Sequence, residues 1–99
     1  MKIIALEHEL DGAQAADFKK YGADEARRVW ELTQQDIIRG SYFRTDRNDA
    51  VLILECESAD AAENALRTLP FVKYGLIRFE LIPLKPYPGL ARLFADSMG

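Results

Sequence analysis

Histidine, tryptophan and cysteine each occur once in these 99 residues, as His8, Trp30 and Cys56. A lone cysteine forms no internal disulfide, and a lone histidine leaves no Cys/His cluster spaced for zinc. Thirteen Lys and Arg face sixteen Asp and Glu, a net charge of −3 with interspersed signs. Without a basic stripe for phosphate contacts, nucleic acid is not an expected partner. No apolar run approaches the ~20 residues that span a bilayer. The N-terminus enters strand-like KIIAL at once, without a signal-peptide core. The expected location is therefore cytoplasmic, with no membrane partner, no cofactor and no metal.

What is present is apolar. Hydrophobic residues make up 48% of the chain, and a domain this small buries only about 60–65% of its unfolded surface. The whole of 1–99 is expected to be one domain with more apolar surface than two layers can hide, which favours self-association.

The long segment from about Ala13 to Gln35 organises the rest. At roughly 100° per residue, Phe18, Gly22, Val29 and Thr33 share one stripe, with Ala15, Ala26 and Leu32 beside it. Lys20, Asp24, Arg27 and Glu31 project to the opposite, solvated side. Glu25 breaks the pattern by falling inside the apolar stripe. Gly22 is also unusual, because glycine inside a helix costs up to about 1 kcal/mol against alanine. Close packing on a sheet is the favoured explanation, and room for a ligand the other.

Around this helix the pattern predicts four strands, at Lys2–Leu10, Ile37–Thr45, Ala50–Glu57 and Leu76–Leu84. A hairpin loop falls at Asp46–Asp49. A second helix starts at the N-cap Ser58 and runs to Leu69, before Pro70. The order β-α-β-β-α-β is the ferredoxin-like split βαβ pattern of the α+β class, a four-stranded antiparallel sheet with both helices on one face. By alternation, Ile4, Leu6, Leu52, Leu54, Ile77, Phe79 and Leu81 are expected under the helices. Ile3, Ala5, Glu7, Val51, Ile53, Glu55, Arg78, Glu80 and Ile82 are expected on the uncovered face. That mixture suits a sheet-to-sheet homodimer, or a higher homo-oligomer, with Glu7, Glu55, Arg78 and Glu80 forming ion pairs at the seam. Tyr87, Leu90, Leu93 and Phe94 are too apolar for a free terminus. The tail, residues 85–99, is expected to dock on the partner subunit.

Two candidates carry proton chemistry. A carboxylate on a sheet-covering helix face is costly unless paired or in a wet cavity, and desolvation would raise its pKa toward that of a general acid or base. Glu25 answers this description, with a structural alternative in which an arginine such as Arg28 neutralises it. His8, the natural proton shuttle near neutral pH, shares strand parity with Ile4 and Leu6 and is expected to join Glu25 in the helix–sheet space. Tyr42, Trp30, Arg44 and Tyr74 are the candidate substrate-binding residues, with Tyr42 foremost. Cys56 shares parity with Leu54 and reads as a small buried hydrophobe rather than a nucleophile.

Four segments also carry a family resemblance: VWEL in the first helix, YFRTDR entering the hairpin, LRTLPFVKYGLIRFELIPL, and PYPGLARLF in the tail. Together they resemble the muconolactone isomerase-like group of the dimeric α+β barrel superfamily over nearly the whole chain. The resemblance implies a dimeric α+β barrel and a cofactor-independent isomerase acting on a small anionic or cyclic metabolite. It also admits a cofactor-free monooxygenase of quinol-like aromatics, with Trp30 and Tyr42 as stacking surfaces. A non-enzymatic dimeric small-ligand module is the third alternative. No isomerase catalytic residue matches position by position, so none is carried over.

Overall fold

The structure, a computed structural model, describes residues 1–94. The elements run β1 (Lys2–Glu9), α1 (Ala15–Gln34), β2 (Ile38–Phe43), β3 (Ala50–Glu55), α2 (Ala59–Leu66), α3 (Pro70–Lys73) and β4 (Ile77–Pro83). Every pairing in the sheet is antiparallel and the strand order is β2-β3-β1-β4, as the ferredoxin-like pattern requires. Local chemistry sets several boundaries. Asp11-Gly12 turns the chain with Gly12 at φ 86°, a left-handed conformation that glycine adopts without steric cost. The Ser58 hydroxyl accepts the Ala61 N–H at 3.1 Å and caps α2. Pro70 does more than end the second helical region, because it opens the short helix α3 at a position where its missing N–H is harmless.

One expectation about the faces is overturned. The registers Ile3↔Leu54 and Ala5↔Leu52 put Ile3, Ala5 and Glu7 under the helices, and Ile3 and Ala5 are fully buried. Ile4, Leu6 and His8 therefore point to the uncovered face, opposite Ile53, Val51 and Arg78. Ile3 to Leu6 is apolar at every position, so alternation within β1 could not decide its parity. Only the cross-strand partners do. For β3 and β4 the expected parity holds: Leu52, Leu54 and Ile77 are buried, and Phe79 and Leu81 pack against the same core.

That core sits toward one end of the helix–sheet layer. Leu32 of α1, Ala62 and Leu66 of α2, and Leu69 meet Ile3, Ile38 and Leu54 there. The N-terminal half of α1 contributes no buried residue. Gly22, in that half, does not serve close packing: a Cβ placed on it would meet no atom within 4 Å. The Gly22→Ala substitution is therefore expected to stabilise the protein by about 0.5–1 kcal/mol, read as a melting temperature higher by roughly 2–8 °C.

The uncovered face presents Ile4, Leu6, Val51, Ile53, Ile82 and Tyr42, with the His8 ring hydrogen-bonded to Glu80 at 2.9 Å. Glu7 takes no part in an ion pair on this face, and Glu55 meets the N-terminal amine at 3.9 Å. Beyond Leu84, whose N–H closes on the Lys2 carbonyl at 2.9 Å, the tail runs through a 3₁₀ turn at Pro88–Ala91. The chain extends 63 Å along its longest axis with a radius of gyration of 16.9 Å. A 20-residue helix measures about 30 Å and a compact chain of this length about 13 Å in radius of gyration. The excess is the tail standing away from the body, with Tyr87, Leu90 and Leu93 exposed. Residues 95–99 of the expected tail lie outside the described residues.

Candidate active site

The middle of α1 roofs a cavity of about 350 Å³. Gly22, Glu25, Ala26 and Val29 line it from the helix, and Glu7, Ala50, Leu52 and Phe79 from the sheet. Phe71 flanks it on one side and the largely exposed Phe43 on the other. Glu7, Phe43 and Phe71 also wall a second, outer space of about 510 Å³ that reaches Phe18 and Asn48. At that mouth Phe18 and Phe71 meet edge to face, ring centroids 5.1 Å apart. Apart from Glu7 and Glu25 the inner walls carry only small, aliphatic and aromatic side chains.

Glu25 sits where its helical phase put it, facing the sheet. No arginine neutralises it, since Arg28 reaches away to Thr68 at 2.9 Å and Glu31 at 3.2 Å. Its Oε1 instead accepts the Phe71 backbone N–H at 2.9 Å, one of the unpaired donors in the first turn of α3. Burial raises the Glu25 pKa above the ordinary glutamate range. The Phe71 hydrogen bond pulls it back in part, and the negative charge of Glu7 adds to the rise.

Glu7 is the second acid of the cavity. Its Oε1 accepts the Ala50 N–H at 3.3 Å. Burial again raises the pKa, the Ala50 hydrogen bond opposes the rise, and the neighbouring Asp49 and Glu9 reinforce it. Two half-buried carboxyls with raised pKa values thus share one apolar void, each with Oε1 engaged by a backbone N–H. Such a pair, both pKa values raised by burial, can take up and pass protons to or from a bound molecule. Among the described residues no group of three or more His, Cys, Asp or Glu is arranged to hold a metal ion.

The other sequence candidates stand elsewhere. His8 is on the opposite face of the sheet from Glu25, for the parity reason given above, so the two do not share a cavity. Tyr42 is also on the uncovered face, paired across from Val51. Trp30 is exposed on α1. Arg44 is held by both carboxylate oxygens of Asp46, at 2.9 and 2.7 Å, within the hairpin. Tyr74 stacks on Tyr21 with centroids 4.3 Å apart. None of these four lines the Glu25 cavity. Cys56 packs against the core, and burial raises its thiol pKa, as suits a small hydrophobe. The residues that sequence reasoning missed are Glu7, Phe43 and Phe71. Glu7 would have been found by noticing that an acid at the end of an all-apolar strand run has two faces open to it.

The sequence matches no protein-family model and no curated protein. Among solved structures, muconolactone isomerase is similar with a TM-score of 0.70 and 19% identity, covering 89% of this chain and 92% of that one. A 5-chloro-2-hydroxyhydroquinone dehydrochlorinase from Burkholderia phenoliruptrix, in complex with 2,5-dihydroxybenzoquinone, is similar with a TM-score of 0.65 and 19% identity, covering 86% and 94%. At these identities the likeness shows the fold, which this chain shares with both. Among the described residues no helix is long and apolar enough to cross a membrane.

Proposed function

We propose that this protein is a cofactor-independent enzyme of isomerase type, moving a proton on a small cyclic metabolite held under α1. The observation that carries this is the pair Glu7 and Glu25, placed together in an apolar cavity that raises both pKa values. In the proton-transfer step one carboxylate takes a proton from a ring carbon. The partner carboxyl delivers a proton to another position of the same ring. The two acids exchange protonation states and no electrons leave the substrate, so no oxidant is required. Glu25 keeps the role expected from sequence, and Glu7 takes the place of His8. The fold neighbours lend support as enzymes of small cyclic molecules, one an isomerase and one a dehydrochlorinase crystallised with a quinone.

The aromatic walls at Phe43, Phe71 and Phe79 favour one second reading, a cofactor-free monooxygenase of a quinol-like ring. Incubation with small lactones and with hydroxylated aromatics, followed by NMR and oxygen uptake, separates the two. A product of unchanged mass supports the isomerase. Oxygen consumed in proportion to product supports the monooxygenase. Neither product nor binding would leave a non-enzymatic dimeric module.

The assembly belongs to the same proposal. The uncovered sheet face packs on a second copy, and the tail from residue 85 docks on that partner. Each apolar tail side chain so buried contributes about 1.5–3 kcal/mol. Ending the chain after Leu84 is expected to lower the melting temperature or change the sedimenting mass. An unaltered value of both would refute the docked tail.

A further inference from the structure

Resting on the cavity under α1 being the substrate site, its walls also narrow what can enter. We infer that the site takes an uncharged ring bearing hydroxyl groups and rejects ligands that carry a carboxylate. Every charged group lining the inner cavity is an acid, Glu7 or Glu25, and the outer space adds Glu9. Arg44 and Arg47 of the hairpin and Arg28 of α1 are each ion-paired with an acid, Asp46, Asp49 and Glu31. An entering carboxylate would lose its hydration and meet only like charge. A hydroxyl needs no compensating cation. Glu7 is held by the Ala50 N–H and by Asp49, whereas Glu25 has Oε1 engaged by the Phe71 N–H, which leaves Oε2 to accept an O–H, and Phe43, Phe71 and Phe79 offer ring surfaces. A cationic ligand is disfavoured for another reason. A buried ion pair does not readily repay the desolvation of both partners.

Resorcinol and 3-hydroxybenzoate test this, because they differ in one hydroxyl replaced by a carboxylate. Each is titrated at pH 7.5 into the full-length protein, following the ring resonances of Phe43, Phe71 and Phe79, with benzylamine as the cationic probe. Resorcinol is expected to shift these resonances and to bind at least about tenfold more tightly than 3-hydroxybenzoate, or about 1.4 kcal/mol. The double variant Glu7→Gln/Glu25→Gln should narrow that gap. An unchanged gap in the folded variant would overturn the inference, because the discrimination would then arise elsewhere. Equal or tighter binding of 3-hydroxybenzoate or benzylamine at the same resonances would overturn it too, while leaving the cavity as the ligand site. No response to any probe would remove the site itself and the inference with it.

Discussion

Replacing Glu25 with glutamine is expected to lower turnover by about 10²–10⁴-fold, the usual contribution of a general acid or base, without loss of stability. The amide keeps the shape of the side chain, and its carbonyl oxygen still accepts the Phe71 N–H that Glu25 holds at 2.9 Å. What disappears is a charge that the folded state disfavours. Because the Glu25 pKa is raised on folding, the native state binds its proton more tightly than the unfolded chain. Stability therefore falls as pH rises through a window that opens at the ordinary glutamate pKa of about 4.3 and closes at the raised folded value. In the variant that decline should be shallower, with the remainder set by Glu7, whose shift has the same sign. Glu25→Ala should behave differently. It orphans the Phe71 N–H and costs about 1–3 kcal/mol. Melting curves of both variants between pH 4 and pH 8 check these outcomes. Clear destabilisation by glutamine would count against a catalytic role.

The second large effect lies on the other side of the sheet. Ile53 is at the middle of the uncovered face, opposite Ile4 on β1 and Gly40 on β2. In a sheet-to-sheet dimer a lysine there brings an unpaired charge into an apolar seam. The cost is about 3–5 kcal/mol, enough to raise the dimer Kd by roughly two to four orders of magnitude. The Ile53→Lys variant is expected to sediment at the chain mass of 11.2 kDa under conditions where the wild type runs at twice that. A variant that kept the wild-type mass and melting temperature would place the interface elsewhere.

How much of this was legible in the sequence depends on what each signal could distinguish. The helix under which the cavity lies was plain from its 3.6-residue stripe, in which Glu25 is the acid that breaks the pattern and Gly22 a poor helix former. Both line the same void. The parity of β3 and β4 was readable because polar and apolar residues alternate in them. β1 gave no such alternation over Ile3 to Leu6, and a parity error of one position exchanged Glu7 for His8 in the site. Phe43 and Phe71 come from a strand end and a four-residue helix. Their convergence is a product of register and of the Pro70 start of α3, which no local pattern in the sequence encodes.

The uneven seating of α1 has a consequence for how the molecule opens. Leu32 anchors the helix near its C-terminus, at 1% exposure, while the turns before it bury no residue and rest on α3 through Phe18 on Phe71 and Tyr21 on Tyr74. Free energies of local opening follow the density of buried contacts, so the two ends of this one helix differ. Amide hydrogens from about Phe18 to Ala26 should exchange with solvent well before those from Val29 to Gln34. Fraying from the N-terminal side would lift the roof at Glu25 without disturbing the packed core, giving a small molecule a way in that does not require the protein to unfold.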